Sequence, residues 1–163
     1  FAKAGVDAPA LFQAIGTVAP TPSKMQLFIP QNLANIVWGF ATAGVHAPTL
    51  FDAVVPEARR RIASFKPHEL STMVWAYSTA SVRAPRLFET VAAESALKIA
   101  QFKPDEVATL LWAFSNAGIG AMNLFKVVAE EARKQVEALS AQDLANTVWA
   151  YAKAGVAAPA LFE

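Results

Sequence analysis

The stretch LANIVWGFATAG at residues 33–44 returns as LANTVWAYAKAG at residues 144–155, and reading the two together decides the fold. In the first copy Leu33, Ile36, Val37 and Phe40 fall at i, i+3, i+4 and i+7, one stripe of an α-helix. Leu70, Met73, Val74 and Tyr77 repeat that stripe further along, and Trp38, Trp75, Trp112 and Trp149 recur at intervals of 37 residues. Phe51, Phe88, Phe125 and Phe162 keep the same phase, as do Leu50, Leu87, Leu124 and Leu161 and Ala43, Ala80, Ala117 and Ala154. A period of this length that holds at many positions is the signature of a solenoid.

Each unit divides into two helices. Pro67 and Pro104 suit the first position of helix A, where the missing amide hydrogen costs nothing, and Ser140 with Asp143 forms a capping-box pattern. Gly44, Gly118 and Gly155 follow the last apolar residue, where a left-handed residue ends a helix, and Ser81 takes that place in the second unit. Pro48, Pro85 and Pro159 then open helix B, with Met122 in the third unit, and Leu50, Phe51, Val54, Val55, Ala58 and Ile62 span its apolar arc.

Ala34, Trp38 and Ala41 form a second face on helix A, so that helix has to pack on two sides. One hairpin cannot cover both faces, and neighbouring units must stack around a continuous core. The expected architecture is all-α, an α-α superhelix of 37-residue two-helix repeats, with residues 1–163 as a single solenoid fragment. The units run 28–64, 65–101 and 102–138, between a partial irregular repeat at 1–27 and a partial repeat at 139–163. Both chain ends cut through units, which implies further repeats outside these residues. From Phe12 to Phe51 the spacing is 39 rather than 37, and Pro20 and Pro22 predict that the leading helix ends near Val18 and gives way to a loop.

Composition bounds the chemistry. With 14 Lys+Arg against 13 Asp+Glu the net charge is +1, so no strong field advertises a nucleic acid or an anionic membrane. There are no cysteines, and His46 and His68 lack metal-ligand spacing; adjacent acids such as Asp105 and Glu106 diverge along a helix. The expectation is a binding surface without catalytic residues, metal or cofactor, and without a membrane-spanning segment, since the most apolar stretch is interrupted by Asn146, Lys153, Gly155 and Pro159.

The LANxxW pattern, followed by an alanine-proline pair and a leucine-phenylalanine pair, resembles the octotricopeptide repeats and the helical pairs of FAST-kinase-like and RAP-domain-associated proteins. Proteins of that group are mostly organellar and bind RNA along the solenoid. The resemblance therefore implies a single-stranded RNA partner, a mitochondrial or plastid location, and a role in transcript maturation, translation or ribosome assembly. The alternative is an architectural subunit that clamps protein neighbours in a large organellar complex, such as a ribosome or a photosynthetic assembly, and the near-neutral charge favours it.

Opposite the apolar stripe of helix A lie Asn35, Gly39 and Thr42, then Thr72, Ala76 and Thr79, then Thr109, Ala113 and Asn116, then Asn146, Ala150 and Lys153. Small residues flanked by amides and hydroxyls suit a nucleotide whose base edge is read at each repeat. The bland alternative is that Asn35, Thr42, Thr72, Thr79, Thr109, Asn116, Asn146 and Lys153 bond one another between units. The tryptophans border this face and are expected in the inter-repeat core, although stacking on bases is open to them. Arg59, Arg60, Arg133 and Lys134 are the candidates for phosphate contact from helix B. The pairs Glu57–Arg61, Glu94–Lys98 and Glu130–Lys134 are spaced i, i+4 and are expected on solvated helix surface, worth a few tenths of a kcal/mol each.

Overall fold

The computed structural model describes residues 8–135 and 140–156, apart from the side chains of residues 132, 134 and 135. The described residues are helices and turns: α1 (Pro9–Val18), α2 (Pro22–Met25), α3 (Pro30–Ala43), α4 (Pro48–Arg60), α5 (Pro67–Thr79), α6 (Pro85–Lys98), α7 (Pro104–Ala117), α8 (Met122–Gln135) and α9 (Ala141–Ala154). The starts of α3, α5, α7 and α9 lie 37 residues apart, as do those of α4, α6 and α8, so the period of the sequence is the period of the fold. Helices α3, α5, α7 and α9 pack successively on one another as a first layer, and α1, α4, α6 and α8 form a second. The result is an α-α solenoid.

The first layer starts each helix in the same way. The amides of Ile29, Lys66, Lys103 and Ser140 donate to the side chains of Asn32, Glu69, Glu106 and Asp143 at 3.2, 2.8, 2.9 and 3.3 Å. Only the last of these pairs stands out in the sequence, because a capping box is recognised by its serine or threonine. The other three need only the acceptor, with proline beside it at the first helical position. The helices also stop alike: Gly44, Gly118 and Gly155 have φ of 66°, 66° and 64°, and Ser81 adopts 56°. In each case the following amide reaches back to the carbonyl of Phe40, Tyr77, Phe114 or Tyr151, closing the helix end.

The layers are locked by aromatic pairs. Phe51, Phe88 and Phe125 of the second layer meet Tyr77, Phe114 and Tyr151 of the next first-layer helix edge-on, with centroids 4.9–5.1 Å apart. All six are fully buried, and such pairs contribute about 0.5–1.5 kcal/mol beyond their burial. The tyrosines add a hydrogen bond, Tyr77 Oη donating to the Phe51 carbonyl at 2.6 Å and Tyr151 Oη to that of Phe125 at 2.7 Å.

Phe12 and Phe40 form the same contact at 5.0 Å although they lie 28 residues apart instead of 26, so the two extra residues are absorbed between them. Helix α1 does end at Val18, but the expected loop is wrong in part. Pro22 opens the short helix α2, whose Met25 is buried, because proline is tolerated at a helix start and an apolar side chain one turn later can reach the core. Pro159, Leu161 and Phe162, read as the opening of a further helix B, lie outside the described residues.

The ion pairs depart most from expectation. Lys98 is not on solvated surface: its Nζ donates to the carbonyls of Ala63 and Phe65 at 2.7 and 2.8 Å while pairing with Glu94 at 2.8 Å. Arg61, one period earlier, pairs with Glu57 and donates to the Met25 carbonyl at 3.3 Å. Both bases clip their helix to the turn that closes the preceding unit, where carbonyls at the end of a helical segment lack partners. In the third pair, the Lys134 side chain lies outside the described residues.

Candidate nucleic-acid interface

On each first-layer helix the residues three before and four after the tryptophan share its side of the helix. Asn35, Trp38 and Thr42 therefore form one line, as do Thr72, Trp75 and Thr79, then Thr109, Trp112 and Asn116, then Asn146, Trp149 and Lys153. Stacked helices set these lines side by side into a strip that crosses the first layer. The expected inter-repeat packing of the tryptophans holds in part: Trp38, Trp75 and Trp112 pack against the core without being fully buried. Trp38, Trp75 and Trp112 are half-buried and Trp149 is 42% exposed, because the core position two residues later takes Phe40, Tyr77, Phe114 and Tyr151 instead. The Trp112 and Trp149 rings stack on each other across the units, with centroids 6.5 Å apart and planes inclined by 22°.

The small residues between these lines serve a different purpose from the expected one. Ala76, Ala113 and Ala150 are fully buried, and it is the neighbouring helix, not a nucleotide, that approaches them. Alanine permits this because its methyl group is too small to hold the helix axes apart. Gly39 is half-buried, with open space where a Cβ would lie.

The flanking polar residues divide into two groups. Asn35, Thr42 and Thr79 are exposed and Thr72 is half-buried. Thr109 donates to the Asp105 carbonyl at 2.8 Å and Asn146 accepts from Gln142 at 2.9 Å, both within their own helices. Asn116 and Lys153 are tied together across units: Lys153 Nζ donates to Asn116 Oδ1 at 3.3 Å, and Asn116 Nδ2 donates to Ser78 Oγ at 3.0 Å. Lys153 also lies over the Trp149 ring, 4.6 Å from its centroid. Ser115, one period after Ser78, donates to the Ala150 carbonyl at 2.9 Å. Ser78 was not singled out from the sequence; the available signal is that it and Ser115 put a hydroxyl where Ala41 and Ala152 stand in the other units.

The basic candidates sit elsewhere. Arg59 and Arg60 end α4 and Arg133 lies on α8, all in the second layer, so they do not join the strip. Arg59 Nε donates to Thr90 Oγ1 of the next unit at 3.2 Å, and Arg60 pairs with Glu57. That hydrogen bond from Arg60, with Arg61 nearby, holds the Glu57 carboxyl below its usual range. Lys134 again lies outside the described side chains. The basic group that does approach the strip is Arg83, exposed in the turn between α5 and α6. Among the described residues no cluster of His, Asp or Glu could hold a metal, and no helix is long and apolar enough to cross a membrane.

Over residues 1–163 the sequence matches the family described as RNA-editing substrate-binding complex 6 protein. The chain belongs to that family. This corrects the resemblance drawn from LANxxW: the family is not the octotricopeptide or FAST-kinase-like one, and the two agree only in being helical proteins of RNA-associated groups. In this chain alanine and a terminal glycine encode how one helix packs on the next and where it ends, which is independent of what the stack binds. No curated protein matches the chain. The RNA-editing substrate-binding complex 6 family is named for an RNA-editing complex, which accords with an RNA-associated helical scaffold.

Proposed function

We propose that this chain is a non-catalytic RNA-binding module of an organellar RNA-editing complex, and that single-stranded RNA lies along the first-layer strip. The observation that carries the reading is the row of tryptophans, each partly open and each flanked by hydrogen-bonding side chains from Asn35 to Lys153. An indole face held beside an amide or hydroxyl offers an unstacked base both a platform and an edge partner. The family's name supports RNA as the partner class, and the organellar location rests on the octotricopeptide-like resemblance.

Anisotropy of a labelled single-stranded oligoribonucleotide against salt tests it. With Arg83 and Lys153 as the basic groups near the strip, binding should fall only gently, with a slope of about −0.7 per phosphate neutralised, and Trp149 fluorescence should be quenched. An oligonucleotide that leaves Trp149 unchanged and binds only through the second layer would refute the placement.

A protein-scaffold reading is favoured by one observation, the exposure of Leu97, 81% open on α6 in a chain with a net charge of +1. Crosslinking in the native complex separates the two. Nucleotide adducts on α5 and α7 support RNA binding, and peptide links centred on Leu97 alone support the scaffold.

A further inference from the structure

A cleft of about 490 Å³ opens between the end of α5, the turn to α6 and the end of α7. That volume lies within the range of small-ligand pockets, about 300–1,000 Å³. Apolar Val82 and Ile119 line it beside Ser78, Arg83 and Asn116, and no carboxylate does. Equivalent clefts occur one period to either side, of about 190 and 410 Å³. There the position of Arg83 is held by His46 or Gly120, and that of Ser78 by Ala41 or by Ser115, whose hydroxyl is already committed to Ala150. Among the described residues, the middle cleft is the one where three polar groups converge.

All three groups present hydrogens. The Arg83 guanidinium is a fork of donors that makes no hydrogen bond or ion pair to the described residues. Asn116 spends one amide hydrogen on Ser78 and keeps the other. Ser78, 5% exposed, accepts from Asn116 and retains its own proton to donate. Lys153 sets the direction of this chain, because its ammonium can only donate and so fixes the Asn116 carbonyl as an acceptor.

Resting on the RNA-binding reading, we propose that this cleft takes one unstacked base and prefers guanine to adenine. A wall of donors calls for an edge of adjacent acceptors, and guanine O6 and N7 provide one that a guanidinium engages in bidentate fashion. Adenine sets an amino donor beside its N7 and meets the guanidinium donor to donor. Val82 and Ile119 supply the apolar surface against which the ring lies.

The test uses the full chain and labelled oligoadenylates that are uniform or carry one central guanosine, measured by anisotropy, with circular dichroism confirming that the variants fold. The guanosine probe should bind about tenfold tighter, the size of one good bidentate pair, and 7-deazaguanosine at that site should abolish the gain. Arg83→Gln and Arg83→Lys should both lose the guanosine preference. Arg83→Lys retains the charge without the planar fork, so its loss of preference would not come from a lost positive charge. Equal binding of the two probes by the native chain, or a preference that survives in Arg83→Lys, overturns the guanine site while leaving RNA binding intact. Failure to bind any oligonucleotide overturns the RNA reading and this site with it.

Discussion

Replacing Lys98 by methionine removes an ammonium that holds three oxygens at once: the carbonyls of Ala63 and Phe65 in the preceding turn and the carboxylate of Glu94. The magnitude separates two readings of the same sequence spacing. An exposed i, i+4 pair is worth about 0.3–0.5 kcal/mol. Here the side chains of Lys98 and Glu94 are only 18% and 12% exposed, and a hydrogen bond to a charged group contributes about 1.5–3 kcal/mol. Methionine preserves the packing of the aliphatic stem, so the loss isolates the charge and its bonds. The expected destabilisation is therefore about 2–3 kcal/mol, read as a shift of the urea midpoint by tryptophan fluorescence with the slope unchanged. Lys126, exposed on α8, is the matched control, and Lys126→Met should cost less than about 0.5 kcal/mol. A Lys98→Met loss no larger than that of the control would show that the clip contributes nothing and that the solvated pair is the right description.

Three further outcomes follow from the helix ends and the buried aromatics. Ser81 at φ 56° holds a conformation that costs an ordinary side chain about 1–2 kcal/mol, so Ser81→Gly should raise thermal stability, whereas Gly118→Ala at φ 66° should lower it. The space around Gly118 is open, so that second loss, measured in the same melt, should come from the backbone alone. Phe88→Ala should cost about 3–5 kcal/mol in urea denaturation, since the ring is fully buried and packs edge-on against Phe114. Burial raises the Tyr77 and Tyr151 phenols above the usual range, so the native state keeps them protonated where the unfolded chain would ionise. Their contribution is complete below about pH 10 and declines above it, by up to about 1.4 kcal/mol per pH unit for each phenol. Tyr77→Phe with Tyr151→Phe should flatten that decline between about pH 10 and 12, and an unchanged slope would refute the assignment.

The candidate strip was legible only in part. The Asn/Thr positions and the tryptophans share a helix side because helical spacing alone puts them there, and the structure keeps that line intact from Asn35, Trp38 and Thr42 to Asn146, Trp149 and Lys153. Whether the middle of the line faced a ligand or another helix was not readable. Ala76 and Ala150 are small for either purpose, and only the distance between adjacent helices decides. The basic candidates lie in the second layer, as their place on helix B implies: Arg59 and Arg133 recur in phase, but phase says nothing about which layer faces a partner.

The sequence by itself determined the period, the helix starts at proline and their stops at Gly44, Ser81, Gly118 and Gly155, because those depend on backbone preferences within a few residues. Tertiary structure alone decided which of two large aromatics in each helix is buried. It gave the core to Tyr77 and Tyr151, which meet a ring and a carbonyl from the preceding unit, and left Trp38, Trp75 and Trp112 half-buried at its edge. It also turned Lys98 from a surface charge into an inter-unit clip and brought Ser78, Arg83 and Asn116 to one cleft. These outcomes rest on contacts between residues about one period apart, and their geometry exists only once neighbouring units have stacked.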